Sequence, residues 1–569
     1  MTTTTTKPSA HASTADPPGR ALLTLVILLL LAGWFGTLGL RALFIPDEGR
    51  YAEIPREMLA TGDWVTPRLN DLKYFEKPPL QYWLTALSFR VFGESEWTAR
   101  LPSALLGFLA LLMVGYCGHR LWNRRTGVLA VAILGSACAY YLGGQYLTLD
   151  MTLTACLTLA LCSFLLAQVQ AVDRHRQAWM AGAWAAAALA VLAKGLVGVV
   201  LPAMSFLAYI ALCRDTRLWA RLNPVVGMLV FLLIAAPWFV VVQLRNPEFF
   251  EFFFIREHFQ RFAEAGHHRP GPWWYYLPIV VVGMMPWTPT LAVECVRQWK
   301  ARPTRGGAFS PAWFCAVWTG VIVVFFSVSH SKLPAYILPA FPAIALLLAR
   351  RLADNGTDSI RWSAVTAVAS GLALTVAIGL LPGWRKFAVL GERLTLELPW
   401  LYVAAAALTL TGIGAVLWTR RRQIESAVAA LIAGALVSWG LVFGYLHAVD
   451  DEFSSQRLVH GMTKERVPFH PEAPFYSVGQ FDHSVPFYLR RAVTLVDYRG
   501  ELGPGIDLEP HKYVPTIDEF ADRWMAEGHQ AFAILERDTL GRLQQRGLPM
   551  TEVAANRRLV IVARRAFSP

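Results

Sequence analysis

Apolar runs long enough to cross a lipid bilayer recur along most of this chain, separated by short polar connections. A spanning helix needs about 20 apolar residues to cross a hydrocarbon core of about 30 Å. Runs of that kind predict spans at 21–40, 98–119, 126–143, 148–170, 178–193, 196–213, 223–244, 277–296, 311–328, 335–350, 362–382, 399–418 and 427–447, thirteen in all. Lys194 and Gly195 interrupt the short pair at 178–213. The first run is too long for a typical signal-peptide core and has no convincing small-residue cleavage site, so it reads as a retained helix. Residues 1–20 are rich in Thr, Ser, Ala and Pro and predict a disordered tail.

The pattern changes after 449. Short β-like runs (Phe475–Val478, Ala492–Val496, Ala531–Leu535, Leu559–Val562) alternate with turn residues and with amphipathic helical stretches near 517–527 and 538–546. About 120 residues suffice for a small α/β domain. The predicted fold is an α-helical polytopic membrane protein with a soluble C-terminal α/β domain. Its parts are a tail at 1–20, a transmembrane domain at 21–448 with long loops at 41–97 and 245–276, and the α/β domain at 449–569.

Composition supports the membrane reading. Hydrophobic residues make up 55% of the chain and charged residues only 16%, against about 25% in average soluble proteins. The net charge of +12 is dispersed in small clusters between apolar runs. It forms no aromatic-interleaved basic groove for nucleic acid. The seven cysteines lie in or beside apolar runs without metal-ligand spacing and read as small buried side chains.

Charge sets orientation. Arg124 and Arg125, Arg174 and Arg176, Arg214 and Arg217, Arg297 to Arg305, Arg350 and Arg351, and Arg420 to Arg422 fall in alternate connections. The positive-inside rule puts these on the cytoplasmic side. The loops 41–97 and 245–276, the stretch at Lys194, the turn at 329–334 and the C-terminal domain then lie outside.

The outer segments hold the candidate chemistry. The run Pro46-Asp47-Glu48-Gly49-Arg50-Tyr51 places Asp47 at a helix start, where it reads either as an N-cap or as a carboxylate beside a reaction cavity. Tyr74-Phe75-Glu76-Lys77-Pro78-Pro79 presents opposite charges rigidly and leads into an amphipathic stretch, 80–92, suited to the membrane interface. Asp150, Lys194 and Lys332 sit at span ends, where a charge can simply snorkel to water. Tyr336 follows Lys332 in Ser331-Lys332-Leu333-Pro334-Ala335-Tyr336. The loop at 245–276 carries Arg256, His258 and Arg261. Lys77, Lys194, Arg261 and Lys332 are outer cations from four separate connections. Together they point to an anionic ligand, phosphate above all.

These motifs, in this order and over nearly the whole chain, resemble the lipid-dependent glycosyltransferases of the C-type fold. Within that group they are most similar to the bacterial aminoarabinose transferases that modify lipid A, relatives of the protein O-mannosyltransferases. The resemblance implies inverting transfer of 4-amino-4-deoxy-L-arabinose from undecaprenyl phosphate to a lipid A phosphate. The reaction would occur at the periplasmic face of the inner membrane and would favour polymyxin resistance. It matches Asp47 to the principal carboxylate and Asp150 to a second acidic position. Lys77, Lys194 and Arg261 would cradle the donor phosphate, with Tyr336, Tyr74, Arg50 and Lys332 near it. Glu76 with His258 would bind a divalent metal, zinc by the mixed donor set. The alternative is another polyprenyl-phosphate-dependent glycosyltransferase acting on protein or glycan. A transporter would place its charges near the bilayer midplane within internal repeats, and neither feature is present in the sequence.

Overall fold

The computed structural model describes residues 19–260, 271–300, 308–381, 392–464, 472–527 and 530–564. Arg261 lies outside them, and of His258 only the backbone is described, inside the helical segment Glu251–Gln260.

The apolar runs form helices. Among the described residues, eight are long and apolar enough to cross a membrane, and two sharply bent pairs, α5 (Arg124–Ser136) with α6 (Cys138–Gly144) and Tyr276–Gly283 with Thr288–Gln298, raise this to ten. The other three predicted spans, 21–40, 178–193 and 196–213, coincide with helices that are shorter or less apolar, so the count of thirteen is not reached by these criteria. Four helices position the site: α1 (Gly19–Gly36), α4 (Glu96–Leu121), α7 (Leu149–Gln168) and α8 (Asp173–Lys194). α7 leads away from Asp150 and α8 returns to Lys194, so the pair brings both charges to one end. α4 begins in a capping box: the Ser95 hydroxyl accepts from Thr98 N–H, and the Thr98 hydroxyl accepts from Ser95 N–H.

The first loop is mostly buried. It holds α2 (Asp47–Thr61), a two-residue hairpin of β1 (Arg68–Leu69) and β2 (Leu72–Lys73), and α3 (Leu80–Phe92). α3 covers the stretch 80–92 read as amphipathic and leaves Leu87, Val91 and Phe92 exposed. α2 stops at Gly62, whose φ of 72° is left-handed and whose N–H closes on the Met58 carbonyl.

Glu48 fastens the start of α2. Its carboxylate accepts from Arg100 Nε at 2.8 Å and Nη2 at 3.0 Å, and from Arg41 Nη2 at 2.8 Å. The N–H groups of Phe44 and Leu147 add bonds of 3.0 Å each. Arg100 also donates to the carbonyls of Leu38, Arg41 and Ala42. The segment after α1, α4, the turn before α7 and α2 thus meet on one buried carboxylate.

The C-terminal domain is a six-stranded sheet in the order β5-β4-β3-β6-β8-β7, made of β3 (Phe475–Val478), β4 (Thr494–Val496), β5 (Tyr513–Val514), β6 (Phe532–Leu535), β7 (Thr551–Ala555) and β8 (Val560–Ala563). β5, β4, β3 and β6 are parallel, while β8 runs antiparallel to both of its neighbours, β6 and β7. The predicted strand runs correspond to β3, β4, β6 and β8, and the helical stretches to Ile517–Ala526 and Arg537–Gln545. β5 and β7 were not foreseen. β5 has two residues, and β7 exposes Thr551, Glu552 and Ala555.

This domain docks on the first loop. Asn70 pairs with the Val493 backbone in both directions, at 2.8 and 2.7 Å. Arg56 donates to the Arg490 carbonyl at 3.0 Å, and the Leu43 N–H to the Tyr488 hydroxyl at 2.9 Å. A side chain at Gly49 would come within 2.7 Å of the His483 carbonyl, so the domain's 479–484 loop lies directly on α2 because residue 49 is glycine.

The seven cysteines are free. Six are buried as expected, but Cys295 is exposed. It lies on the charged helix Thr288–Lys300.

Candidate active site

Arg50, in the first turn of α2, is the hub. Its Nη1 donates to the Tyr74 hydroxyl at 2.8 Å and stands 3.8 Å from Glu76 Oε2. Its Nη2 lies 3.1 Å from Glu501 Oε2 and 3.5 Å from Asp47 Oδ1. Glu501 comes from the C-terminal domain, and its Oε1 meets His483 Nε2 at 2.7 Å. Burial opposes charge on Arg50, but Tyr74, Tyr51, Glu501 and Glu76 outweigh it and hold the guanidinium firmly protonated. Burial, reinforced by Glu76, likewise keeps the Tyr74 phenol protonated.

Asp47 does not cap its helix. Pro46 occupies the N-cap position and Asp47 is the first helical residue, with no side-chain cap bond made there. The proline already ends the preceding segment, and Glu48, not Asp47, satisfies nearby backbone donors. Asp47 is instead turned to Arg50 with 38% of its side chain exposed, the most open of the site's carboxylates.

A second pair lies close by. Lys194 forms an ion pair with Asp150, and its ammonium sits 4.5 Å from the centre of the Tyr336 ring. Asp47 is close enough to act electrostatically on Lys194, which places the pair and the Arg50 hub at one site. Lys77 donates to the Glu76 carbonyl at 2.9 Å.

The structure therefore brings together Asp47, Arg50, Tyr74, Glu76 and Lys77, with Asp150, Lys194 and Tyr336 beside them. Lys332 is buried and donates to the Ser329 carbonyl in its own turn, so its hydrogen bond goes there and not to the Arg50 hub. Among the described residues no group of three or more His, Cys, Asp or Glu is arranged to hold a metal ion. The Glu76 carboxylate is directed at Arg50, and the His258 side chain and Arg261 lie outside the described residues.

Sequence reasoning missed Glu501, His483 and Glu48. A signal for His483 existed. Asp482-His483-Ser484 follows β3 at its carboxyl end, next to β6, where the order of the parallel strands reverses. Ligand-facing residues collect at such points in open α/β sheets.

The arrangement presents cations and protonated phenols to an anion, beside carboxylates open to a second reactant. Comparison with known proteins gives it a family. Residues 462–564 match the family described as aminoarabinose transferase C-terminal domain, and residues 76–240 match dolichyl-phosphate-mannose-protein mannosyltransferase. The undecaprenyl phosphate-α-4-amino-4-deoxy-L-arabinose arabinosyl transferase of Erwinia tasmaniensis is 32% identical over 510 residues, covering 86% of this chain and 88% of that protein. The relative of the same name from Aeromonas salmonicida is 33% identical over 407 residues, 70% of this chain and 73% of its own length. The crystal structure of ArnT from Cupriavidus metallidurans bound to undecaprenyl phosphate superposes with a TM-score of 0.89 at 35% identity, over 96% of this chain and 99% of that one. This chain belongs to the family of undecaprenyl phosphate-α-4-amino-4-deoxy-L-arabinose arabinosyl transferases.

Proposed function

We propose that this protein transfers 4-amino-4-deoxy-L-arabinose from undecaprenyl phosphate to a phosphate of lipid A, at the periplasmic face of the bacterial inner membrane. The observation that carries this is the meeting of Lys77, Lys194, Arg50 and Asp47 at one end of the helical bundle, where a lipid-linked phosphate presents its head group. The positive-inside orientation makes that end periplasmic.

The chemistry follows from charge. A phosphate oxygen of the acceptor attacks the anomeric carbon of the sugar. The bond from that carbon to the donor phosphate oxygen breaks, and undecaprenyl phosphate leaves with the electron pair. Attack from the face opposite the leaving group inverts the anomeric centre. The growing charge on the leaving phosphate is where catalysis acts, and Lys77, Lys194 and Arg261 are the groups proposed to stabilise it. A hydroxyl acceptor would need a general base, whereas an ionised phosphate is its own nucleophile. Asp47 then serves the positive charge that develops at the sugar, or orients the acceptor. A divalent ion held by Glu76 and His258 would supply further positive charge beside the donor phosphate.

The product carries an added ammonium group, so lipid A becomes less anionic and binds cationic peptides such as polymyxin less strongly. The test is mass spectrometry of lipid A from cells with and without this protein. The expected result is a mass increment of one aminopentose, present only with the protein. Unmodified lipid A with a labelled protein or glycan would select the alternative acceptor.

A further inference from the structure

Two loops of the C-terminal domain reach the Arg50 hub from neighbouring strands. His483 follows β3 and Glu501 follows β4, which pair in parallel, so both loops leave the same end of the sheet. Each is seated on the first loop of the chain at a glycine. The His483 carbonyl lies against Gly49, one residue before Arg50, where a Cβ would come within 2.7 Å of it. Gly505, just after Glu501, lies against the Lys73 carbonyl, one residue before Tyr74, and a Cβ there would also come within 2.7 Å. Arg50 and Tyr74 share a hydrogen bond of 2.8 Å. The same domain therefore brackets both ends of that bond.

The contacts continue through side chains. The Asp482 carboxylate accepts from the Ser484 N–H at 2.9 Å, the Ser455 hydroxyl at 2.8 Å and Arg558 at 2.6 Å, which fixes the loop that carries His483. His483 Nε2 meets Glu501 Oε1 at 2.7 Å, and Glu501 Oε2 stands 3.1 Å from Arg50 Nη2. Asp47 Oδ1 is 3.5 Å from the same nitrogen, beyond the roughly 3.2 Å limit of ordinary N–H···O bonds. The guanidinium thus lies nearer to Glu501 than to Asp47, although Asp47 is on its own helix.

We infer that His483 and Glu501 are positioning residues that hold Arg50 Nη2 off Asp47 and so keep the Asp47 charge open to the reacting sugar. The inference rests on the part given to Asp47 in the proposed function and adds how that part is maintained. A guanidinium in direct contact with Asp47 would form a charge-assisted pair and occupy the carboxylate. Glu501 draws the same nitrogen the other way, His483 orients Glu501, and Tyr74 takes Nη1. Docking of the C-terminal domain is in this way coupled to the state of Asp47.

The experiment uses purified full-length protein in detergent, lipid A, and undecaprenyl phosphate carrying 4-amino-4-deoxy-L-arabinose. kcat and KM are measured separately, and each variant is checked by thermal melt. Glu501→Gln should lower kcat about 10-fold or more, the scale of one charge-assisted contact, with the donor KM changed far less. In an Asp47→Asn background the same substitution should lower kcat less than about 3-fold, because the charge it protects is already gone. A purely structural role costs the same factor in both backgrounds, and that outcome overturns the inference. His483 gives a second route if Glu501→Gln melts early. His483→Gln keeps an N–H near the place of Nε2 and should retain most of the kcat, whereas His483→Leu should lose as much as Glu501→Gln. Equal losses in the two His483 variants overturn the part assigned to His483. A structure of Glu501→Gln by electron cryo-microscopy tests the geometry without an assay. Arg50 Nη2 should then lie within hydrogen-bond distance of Asp47, and a guanidinium that has not moved overturns the inference whatever the kinetics. A wild type that transfers no aminoarabinose removes the function proposed above, while that structure still decides where Arg50 is held.

Discussion

Glu48 and Arg100 are joined by two hydrogen bonds, of 2.8 and 3.0 Å, with both side chains fully buried. Burial works against the Glu48 charge most strongly, but Arg100 and Arg41 outweigh it and hold the carboxyl down at about 2. This carboxylate is adjacent to Asp47 and fixes the turn on which Asp47 stands.

Glu48→Ala should therefore destabilise the protein by about 3–5 kcal/mol, because two buried guanidinium groups lose their partner. The sign of the pH effect follows from the lowered value. The Glu48 contribution is complete above the unfolded carboxylate range, near 4.3, and is lost as pH falls from there through about 2. Thermal melts in detergent between pH 6 and pH 2 read this directly. An alanine variant with wild-type melting temperature at pH 7 would contradict it.

Much of this molecule was legible in its sequence. Length and apolarity marked the helices. Lys77 and Lys194 stood out as cations in connections assigned to the outer side, against the positive-inside trend, and Glu76 and Asp150 stood out as carboxylates at outer connections. Their mates were not legible. Glu501 reaches Arg50 across some 450 residues of chain, and periodicity does not encode how a folded domain docks. Glu48 had no role assigned from the sequence, since nothing local shows that Arg41 and Arg100 converge on it. β7 was hidden because an edge strand with exposed Thr551 and Glu552 has no apolar alternation to display.

Phosphate binding is tested at the cations. Lys77→Ala and Arg261→Ala should each lower transfer about 10-fold to more than 100-fold, the cost of a charge-assisted bond to the transition state. Lys194 needs a compensated variant, because its loss strands the buried Asp150 carboxylate. Asp150→Asn with Lys194→Met removes both charges. That double variant should melt closer to wild type than Lys194→Met alone while transfer stays low. Near wild-type transfer in all of these variants would remove the phosphate assignment.

The metal is tested by composition. If Glu76 and His258 share a divalent ion, purified wild type should carry about one equivalent, and His258→Ala and Glu76→Gln should each carry much less. Elemental analysis after dialysis decides, independently of activity. Equal metal content in all three proteins would free Glu76 to act only as a partner of Arg50, 3.8 Å away.

Asp47→Asn isolates a charge from a shape. Asparagine is as good an N-cap as aspartate, but Pro46 holds the cap position and Glu48 anchors the turn. The variant should thus fold as wild type does, with a melting temperature little changed. It replaces a half-open carboxylate 3.5 Å from Arg50 with a neutral amide of the same size. If positive charge develops at the sugar during transfer, that amide stabilises it far less, and the turnover number should fall at least about 100-fold, equivalent to about 2.7 kcal/mol of transition-state stabilisation. Donor binding through the phosphate should fall much less, so the loss appears mainly in kcat. Full activity in Asp47→Asn would reduce Asp47 to a structural neighbour of Arg50. The reacting carboxylate would then be Asp150, now paired with Lys194, and Asp150→Asn would become the decisive variant.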